Sequence, residues 1–341
     1  MNGGGARSDK VELRWRRDLL SSSLQLEYDV ARRAVGEGFA VTSDYSYARV
    51  VNGIEKEYSV DLLARKYFTT DDESVDDHED SIARLDLLLE CKYRRPGVSW
   101  LFIPQIKGSG FPRKPTLRTV LEFSNLTGVL RSPDIRTPGC YKGIEIDLAG
   151  RDRNRVTDEE LRHGFEQLQY AIIPLLTQYI RDTASAIEYE DKTADLLFFA
   201  PILITTAPLF IAVENFDEID LTKVTSIEDF ATEVPILTID MVIGAQFSDE
   251  VRRSFTSLPN SIEEQLVKLE NVKKARGLAD FSMFTYRSLK DALGYALRRL
   301  MSRIIVCNVN HTSALFRETD ALVSKRITTA TVVPLRADHT T

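Results

Sequence analysis

Cysteine and histidine are scarce in this chain of 341 residues, which has three cysteines and four histidines. The cysteines form no Cys-x-x-Cys pair and the histidines show no metal-ligand spacing, so neither a disulfide framework nor a zinc site is indicated. The residues concerned are Cys91, Cys140, Cys307, His78, His163, His311 and His339. Few, unpaired cysteines are typical of a reducing compartment, and we expect a cytoplasmic protein.

No apolar run in the sequence has the character of a membrane-spanning helix. The longest, Leu196 to Val213, contains Pro201 and Pro208 and is rich in β-branched and aromatic residues, a pattern that predicts two buried strands. Residues 1–17 begin with small and polar residues and no secretory signal, and we expect a flexible lead-in. No glycine-rich phosphate loop follows a strand, so ATP-driven and dinucleotide chemistry lack support. We therefore expect neither export nor a membrane partner.

The net charge of −7 and the pI near 5.4 argue against a protein that coats nucleic acid by bulk attraction. The charge is unevenly distributed, however. Residues 71–80 carry seven acidic side chains and no Lys or Arg, whereas residues 92–118 carry seven basic side chains and no acidic one. This basic stretch is either a solvated loop or a surface for a phosphate backbone. The residues predicted to contact phosphates are Arg94, Arg95, Lys107, Arg113 and Lys114.

The hydrophobic pattern predicts an α/β fold with a central mixed β-sheet flanked by helices. A helix over 18–35 precedes a hairpin with strands at 39–51 and 55–68 and a turn at Asn52-Gly53. Further strands are predicted at 85–93, 141–148, 196–204, 209–213, 234–243 and 304–309, and further helices at 157–181 and 288–301. We assign residues 18–213 to the core and residues 214–341 to a C-terminal extension packed on it.

Two charged residues, Glu90 and Lys92, stand in the apolar strand predicted at 85–93. Side chains alternate along a strand, so both point to one face. Asp61 lies among apolar residues of the preceding strand and can share their site, because neighbouring strands lie about 4.8 Å apart. Asp86 shares the face of Glu90 but its Cα lies about 13 Å away along the strand, too far for one ion. Two carboxylates with water and a substrate phosphate suit Mg²⁺.

The constellation of Asp61 followed by Glu90-Cys91-Lys92, after a helix bearing Glu27 and a hairpin, resembles the PD-(D/E)xK nuclease superfamily. The resemblance covers roughly 18–213 and implies a restriction-endonuclease-like fold. It also implies that Asp61, Glu90 and the Cys91 carbonyl hold the metal, that Lys92 is the catalytic lysine, and that Glu27 is the acidic residue some members carry on the first helix.

This sequence departs from the family pattern in several places. The first motif is Val60-Asp61 and not Pro-Asp, and the gap to Glu90 is 90 − 61 = 29 positions with the acidic segment inside it. Some members carry a Gln and a Tyr on a later helix, usually four residues apart. Here Gln167 and Tyr170 are three apart, and an ordinary amphipathic helix is the favoured interpretation of that pair.

These observations predict a nuclease that depends on Mg²⁺, or alternatively Mn²⁺, and acts most readily on DNA. One alternative is a module of the same fold that binds or assembles with partner proteins, with absent or conditional cleavage. Another is a phosphodiesterase for RNA or a small nucleotide, since recognition of a 2′-hydroxyl leaves no sequence signature. Oligomeric state and sequence preference stay open.

Overall fold

The structure is a computed structural model. It describes residues 15–16, 18–19, 22–51, 53–69, 81–104, 117–118, 121–123, 134–135, 139–149, 156–189, 196–240, 244–256 and 303–331. Most of the predicted lead-in, the acidic segment 71–80 and the predicted helix 288–301 lie outside these residues.

Four helices of twelve residues or more lie in the described part of the chain. They are α1 (Leu24–Gly36), α2 (Glu159–Tyr189), α3 (Ala245–Thr256) and α4 (Thr312–Thr331). Among the described helices, none combines the length and the apolar character that a bilayer crossing needs.

The strands begin with a long hairpin, β1 and β2, whose turn includes Gly53 at φ +77°, a left-handed conformation that glycine adopts without strain. The strands through residue 147 are β1 (Ala40–Val51), β2 (Ile54–Thr69), β3 (Ser81–Lys92), β4 (Val98–Pro104), β5 (Leu117–Arg118), β6 (Leu121–Phe123), β7 (Asp134–Ile135) and β8 (Gly139–Asp147). The later strands are β9 (Leu196–Thr205), β10 (Leu209–Ala212), β11 (Ala231–Glu233), β12 (Ile236–Asp240) and β13 (Arg303–Asn308).

One large mixed sheet organises the molecule, with strand order β1-β2-β3-β9-β13-β12-β8-β4-β10-β11. Strands β1, β2 and β3 are antiparallel neighbours, and β3 then pairs in parallel with β9 over ten residues. Strand β13 pairs in parallel with the second half of β9, whereas β6 pairs with its first half. The C-terminal part of the chain therefore supplies strands to the same sheet as the predicted core.

Helices cover both faces of the sheet. Helix α2 packs on one face over Leu88, Phe199 and Leu203. Helices α1 and α4 pack on the other face, against Leu87 and Leu89 of β3 and their neighbours. Because Leu88 and Leu89 are adjacent in β3, the two cores are the two sides of one pleated strand.

The predicted α/β class with a mixed sheet and flanking helices is confirmed, and the helix-hairpin-strand order is observed. The restriction-endonuclease-like arrangement and the domain division at residue 213 stay predictions. Two helices were not predicted, α3 and α4.

Candidate functional site

Strand β3 places Glu90 and Lys92 side by side under helix α2. The Glu90 side chain is 1% exposed, and its Oε1 lies 2.7 Å from the Lys92 Nζ, which donates a hydrogen bond to it. The intervening Cys91 is buried on the opposite face with Leu89. This geometry agrees with the predicted alternation of side chains, in which one face of the strand packs and the other carries charge.

Gly164 lets helix α2 approach these two side chains closely. A Cβ added at this position would lie 2.8 Å from Leu203 Cδ1, 3.2 Å from Lys92 Cε and 3.6 Å from Glu90 Cγ. The missing side chain therefore leaves the space in which Lys92 lies against the helix.

Asp61 lies at a break in the hairpin. Its Oδ2 accepts a hydrogen bond from the Cys91 amide at 2.6 Å, which ties β2 to β3 beside Glu90. Val60 packs in the core under α2, whereas Leu62, two residues further on, packs in the core under α1. Regular alternation along a strand would put these two residues on the same face. The pleat is thus interrupted at Asp61.

Asp44 is a fourth acidic residue of the site that the sequence prediction missed. It is a non-glycine residue at φ +52°, in the left-handed region. In the hairpin register Ser43 pairs with Leu62 and Tyr45 with Val60, so Asp44 stands opposite Asp61. The turn gives the signal that could have found it: Val51 pairs with Ile54, and counting seven residues outward on each strand (51 − 7 = 44, 54 + 7 = 61) reaches this pair.

Burial and mutual repulsion raise the pKa values of three acids, Glu90, Asp61 and Glu27. Burial raises the pKa of Glu90 to about 7, and the Asp61 charge adds to this against the opposing effect of Lys92. Burial also raises the Asp61 pKa, although the Cys91 amide and Lys92 favour the charged form. The Glu27 pKa is raised by burial first and then by the charges of Asp61 and Asp44. Helix α1 thus brings Glu27 into the same electrostatic cluster, and its role as a site acid stays a prediction.

Gln167 belongs to the site, contrary to the favoured interpretation of an ordinary helix position. Its Oε1 accepts a hydrogen bond from Lys92 Nζ at 3.2 Å, and its Nε2 donates to the Ser59 carbonyl at 3.0 Å. Gln167 therefore joins Lys92 to strand β2 and fixes the lysine from the helix side. Tyr170, one turn further on, lies away from Lys92 and lines a cavity described below.

Asp86, the alternative first carboxylate for the metal site, is fully buried and paired with arginines outside the candidate site. Its oxygens lie 2.8 Å from Arg65 and 3.0 Å from Arg84. Two guanidinium partners satisfy this acid, which supports its exclusion from the candidate site.

Two of the predicted phosphate contacts are engaged within the fold. Arg94 is 14% exposed and pairs with Glu145 at 2.5 Å and Glu160 at 3.1 Å, and its contact with a phosphate backbone stays a prediction. Arg95 is 43% exposed and pairs with Asp147 at 2.8 Å. The other predicted contacts, Lys107, Arg113 and Lys114, lie outside the described residues.

The donor set fits a small divalent cation. Among the residues that the structure describes, none gives a hydrogen bond to the buried Glu90 Oε2, an arrangement that is costly unless a cation or another donor reaches it. Asp61 supplies a second carboxylate next to it. Within the described ranges no three His, Cys, Asp or Glu side chains are gathered tightly enough for a cage of protein ligands alone. Mg²⁺ needs no such cage, since it commonly takes one or two carboxylates and keeps several waters.

Comparison with known proteins gives no match: no family model, no curated protein and no solved structure is significantly similar to this chain.

Proposed function

We propose that this protein is a Mg²⁺-dependent phosphodiester hydrolase of the restriction-endonuclease-like type that cleaves nucleic acid, with DNA as the favoured substrate. The observation that carries the proposal is the buried Glu90 carboxylate. Lys92 donates a hydrogen bond to one oxygen, the other has no partner in the described part of the chain, and Asp61 lies alongside.

The charge balance of the cluster supports a bound cation. In the described part of the chain, four carboxylates, Glu27, Asp44, Asp61 and Glu90, surround the Lys92 ammonium and influence one another. Crowded acids hold their protons more tightly than isolated ones, and a divalent ion relieves this repulsion. Asp61 and Glu90 would hold the ion, with the Cys91 carbonyl as the further ligand that the family resemblance implies.

Each residue then has a chemical task. The bound ion would polarise a phosphoryl oxygen and acidify a water molecule. Lys92, which donates hydrogen bonds to Glu90 and Gln167, would orient the attacking water or stabilise negative charge on the phosphorus centre. Asp44 and Glu27 keep the local potential negative. A negative potential favours binding of the cation and disfavours binding of an anionic substrate without the cation.

A cleavage assay tests this proposal. Purified wild-type protein is expected to nick or degrade DNA with Mg²⁺ and to be inactive in EDTA. Lys92→Ala and Asp61→Ala should each lower the rate by about 10²-fold or more, the scale seen when one transition-state contact is removed. Exposed Lys56 on β2 gives the matched control Lys56→Ala, which should retain activity. Equal rates for Lys92→Ala and Lys56→Ala, both folded by circular dichroism, would remove the assignment of the site.

A module that works through partner proteins is the second candidate. The internal pairing of Arg94 and Arg95 favours it, because both bases already pair with carboxylates of the fold. Titration calorimetry with Mg²⁺ and Mn²⁺ separates the candidates, since a module without a metal site would give no binding heat.

A further inference from the structure

A cavity of about 240 Å³ lies beside the candidate site, between strand β1 and helices α2 and α3. Its walls combine aromatic rings with guanidinium groups. The residues that matter for its chemistry are Tyr47, Arg49, Tyr170, Pro174, Arg181 and Glu250.

The sequence of α2 explains why the helix leaves room here. Pro174 lies inside this helix of 31 residues and has no amide hydrogen. The Tyr170 carbonyl therefore lacks the hydrogen bond that the amide of residue 174 would donate in a regular helix. Thr177 Oγ1 donates to the Ile173 carbonyl at 2.8 Å, a bond that also tends to bend helices. Both residues line the cavity, which therefore forms where the helix is least regular.

Arg49 is held against an aromatic ring. Its Cζ lies 3.3 Å from the centre of the Tyr170 ring and 5.8 Å from that of Tyr58. The Tyr170 ring is fixed in turn by an edge contact with Phe247, with centroids 5.3 Å apart. A guanidinium plane held in this way is a stacking platform of the kind on which proteins place unpaired bases.

The charge of the cavity suits a ligand that carries phosphate. Two guanidiniums, Arg49 and Arg181, face one carboxylate, Glu250. That carboxylate is already paired with Arg253 at 2.6 Å. The lining thus combines the flat guanidinium of Arg49 with a second cation, the exposed Arg181.

The cavity is connected to the candidate site through one residue. Tyr47, which lines the cavity, donates from its hydroxyl to the Gln167 carbonyl at 3.0 Å, and the Gln167 side chain holds Lys92. From Gln167 to Pro174 a helix rises about 10 Å, at about 1.5 Å per residue. A distance of this size is spanned by a few nucleotides of one strand.

We propose that this cavity binds an unpaired base and its phosphate, a few nucleotides from the bond to be cleaved, and so selects single-stranded or locally unpaired nucleic acid. The inference rests on the proposed function for the presence of a substrate strand. It predicts that the base stacks on Arg49 and that the phosphate lies near Arg181.

Fluorescence polarisation of the full chain in EDTA tests the inference without cleavage. The probes are a short labelled single-stranded DNA, the same strand with abasic sites, and the blunt duplex. We expect the intact single strand to bind at least about tenfold more tightly than the other two. Arg49→Lys, which keeps the charge but loses the plane, and Arg181→Ala should weaken single-strand binding about tenfold and leave duplex binding unchanged.

Arg252→Ala is the matched control, because Arg252 is an exposed arginine of α3 that does not line the cavity. Its binding should equal that of the wild type. Wild-type affinity in Arg49→Lys, or equal affinity for the intact, abasic and duplex probes, overturns the inference. The two proposals can fail separately. If the wild-type protein shows no metal-dependent cleavage but binds single strands in a manner that depends on Arg49, the proposed function is overturned and the cavity remains a binding site.

Discussion

At the scale of single residues, the ionisation of Glu90 dominates the behaviour of the site. Its pKa is raised to about 7 because the side chain is buried and lies beside Asp61. A metal ligand must be deprotonated, so metal affinity and Mg²⁺-dependent cleavage should rise with pH up to about this value.

Glu90→Gln gives a test of this ionisation in the metal-free protein. A raised carboxyl pKa means that the folded state binds the proton more tightly than the unfolded state, so Glu90 lowers stability as pH rises from 4.5 to about 7. Glutamine keeps an acceptor for Lys92 and has no such titration. The variant should therefore gain stability relative to wild type across this window, by about 1–3 kcal/mol at its upper end.

Denaturant unfolding at a series of pH values measures the difference. Exposed Glu57 on β2 provides the control Glu57→Gln, which removes a surface charge from the same sheet. The account is contradicted if Glu90→Gln and Glu57→Gln show the same pH dependence.

The sequence was sufficient to group Asp61, Glu90 and Lys92, because strand periodicity and strand spacing are local rules. Asp44 needed the register of the hairpin, and Gln167 needed the packing of a helix more than seventy residues further along the chain. The ion pairs of Arg94 were not predictable either, because its partners, Glu145 and Glu160, are distant in sequence.

At the scale of elements, the approach of α2 to β3 sets the position of Lys92. Gly164→Ala should push Leu203 and Lys92 away, since the new Cβ would lie within 3.2 Å of both. Overpacking typically costs about 1–3 kcal/mol, against a gain of about 1 kcal/mol in helix propensity. We expect a net loss of stability of at most about 2 kcal/mol and a clear loss of cleavage.

Gly36, the last residue of α1, is the control, because a Cβ there would meet nothing within 4 Å. Unfolding and cleavage measured side by side should show a loss of activity for Gly164→Ala and none for Gly36→Ala. Full activity in Gly164→Ala would show that the helix contact does not position Lys92.

The helices and strands with strong periodicity were predicted, including α1, the hairpin and β3. Helix α4 was missed because it carries several threonines and a β-branched stretch at its end, which favour other conformations in isolation. It forms because Leu315, Phe316 and Val323 are buried on the face of the sheet shared with α1. Tertiary packing therefore decides what local propensity does not.

At the scale of the whole molecule, the sheet assembles a site from distant parts of the chain. Glu27 comes from α1, Asp44 and Asp61 from the hairpin, Glu90 and Lys92 from β3, and Gln167 from α2. Strand β13 lies against β9, next to β3, so residues near the C-terminal end of the described chain support the same framework. This continuity was not predictable from composition, because strand order depends on which apolar strands meet.

A crystal structure with bound Mn²⁺, located by its anomalous scattering, tests most directly whether this framework is a metal-dependent active site. The account predicts an ion between Asp61 and Glu90, with carboxylate oxygens about 2.1 Å away and water completing the coordination. A protein soaked in Mn²⁺ whose Asp61 and Glu90 bind no ion, with Glu90 Oε2 still unpartnered, would contradict it.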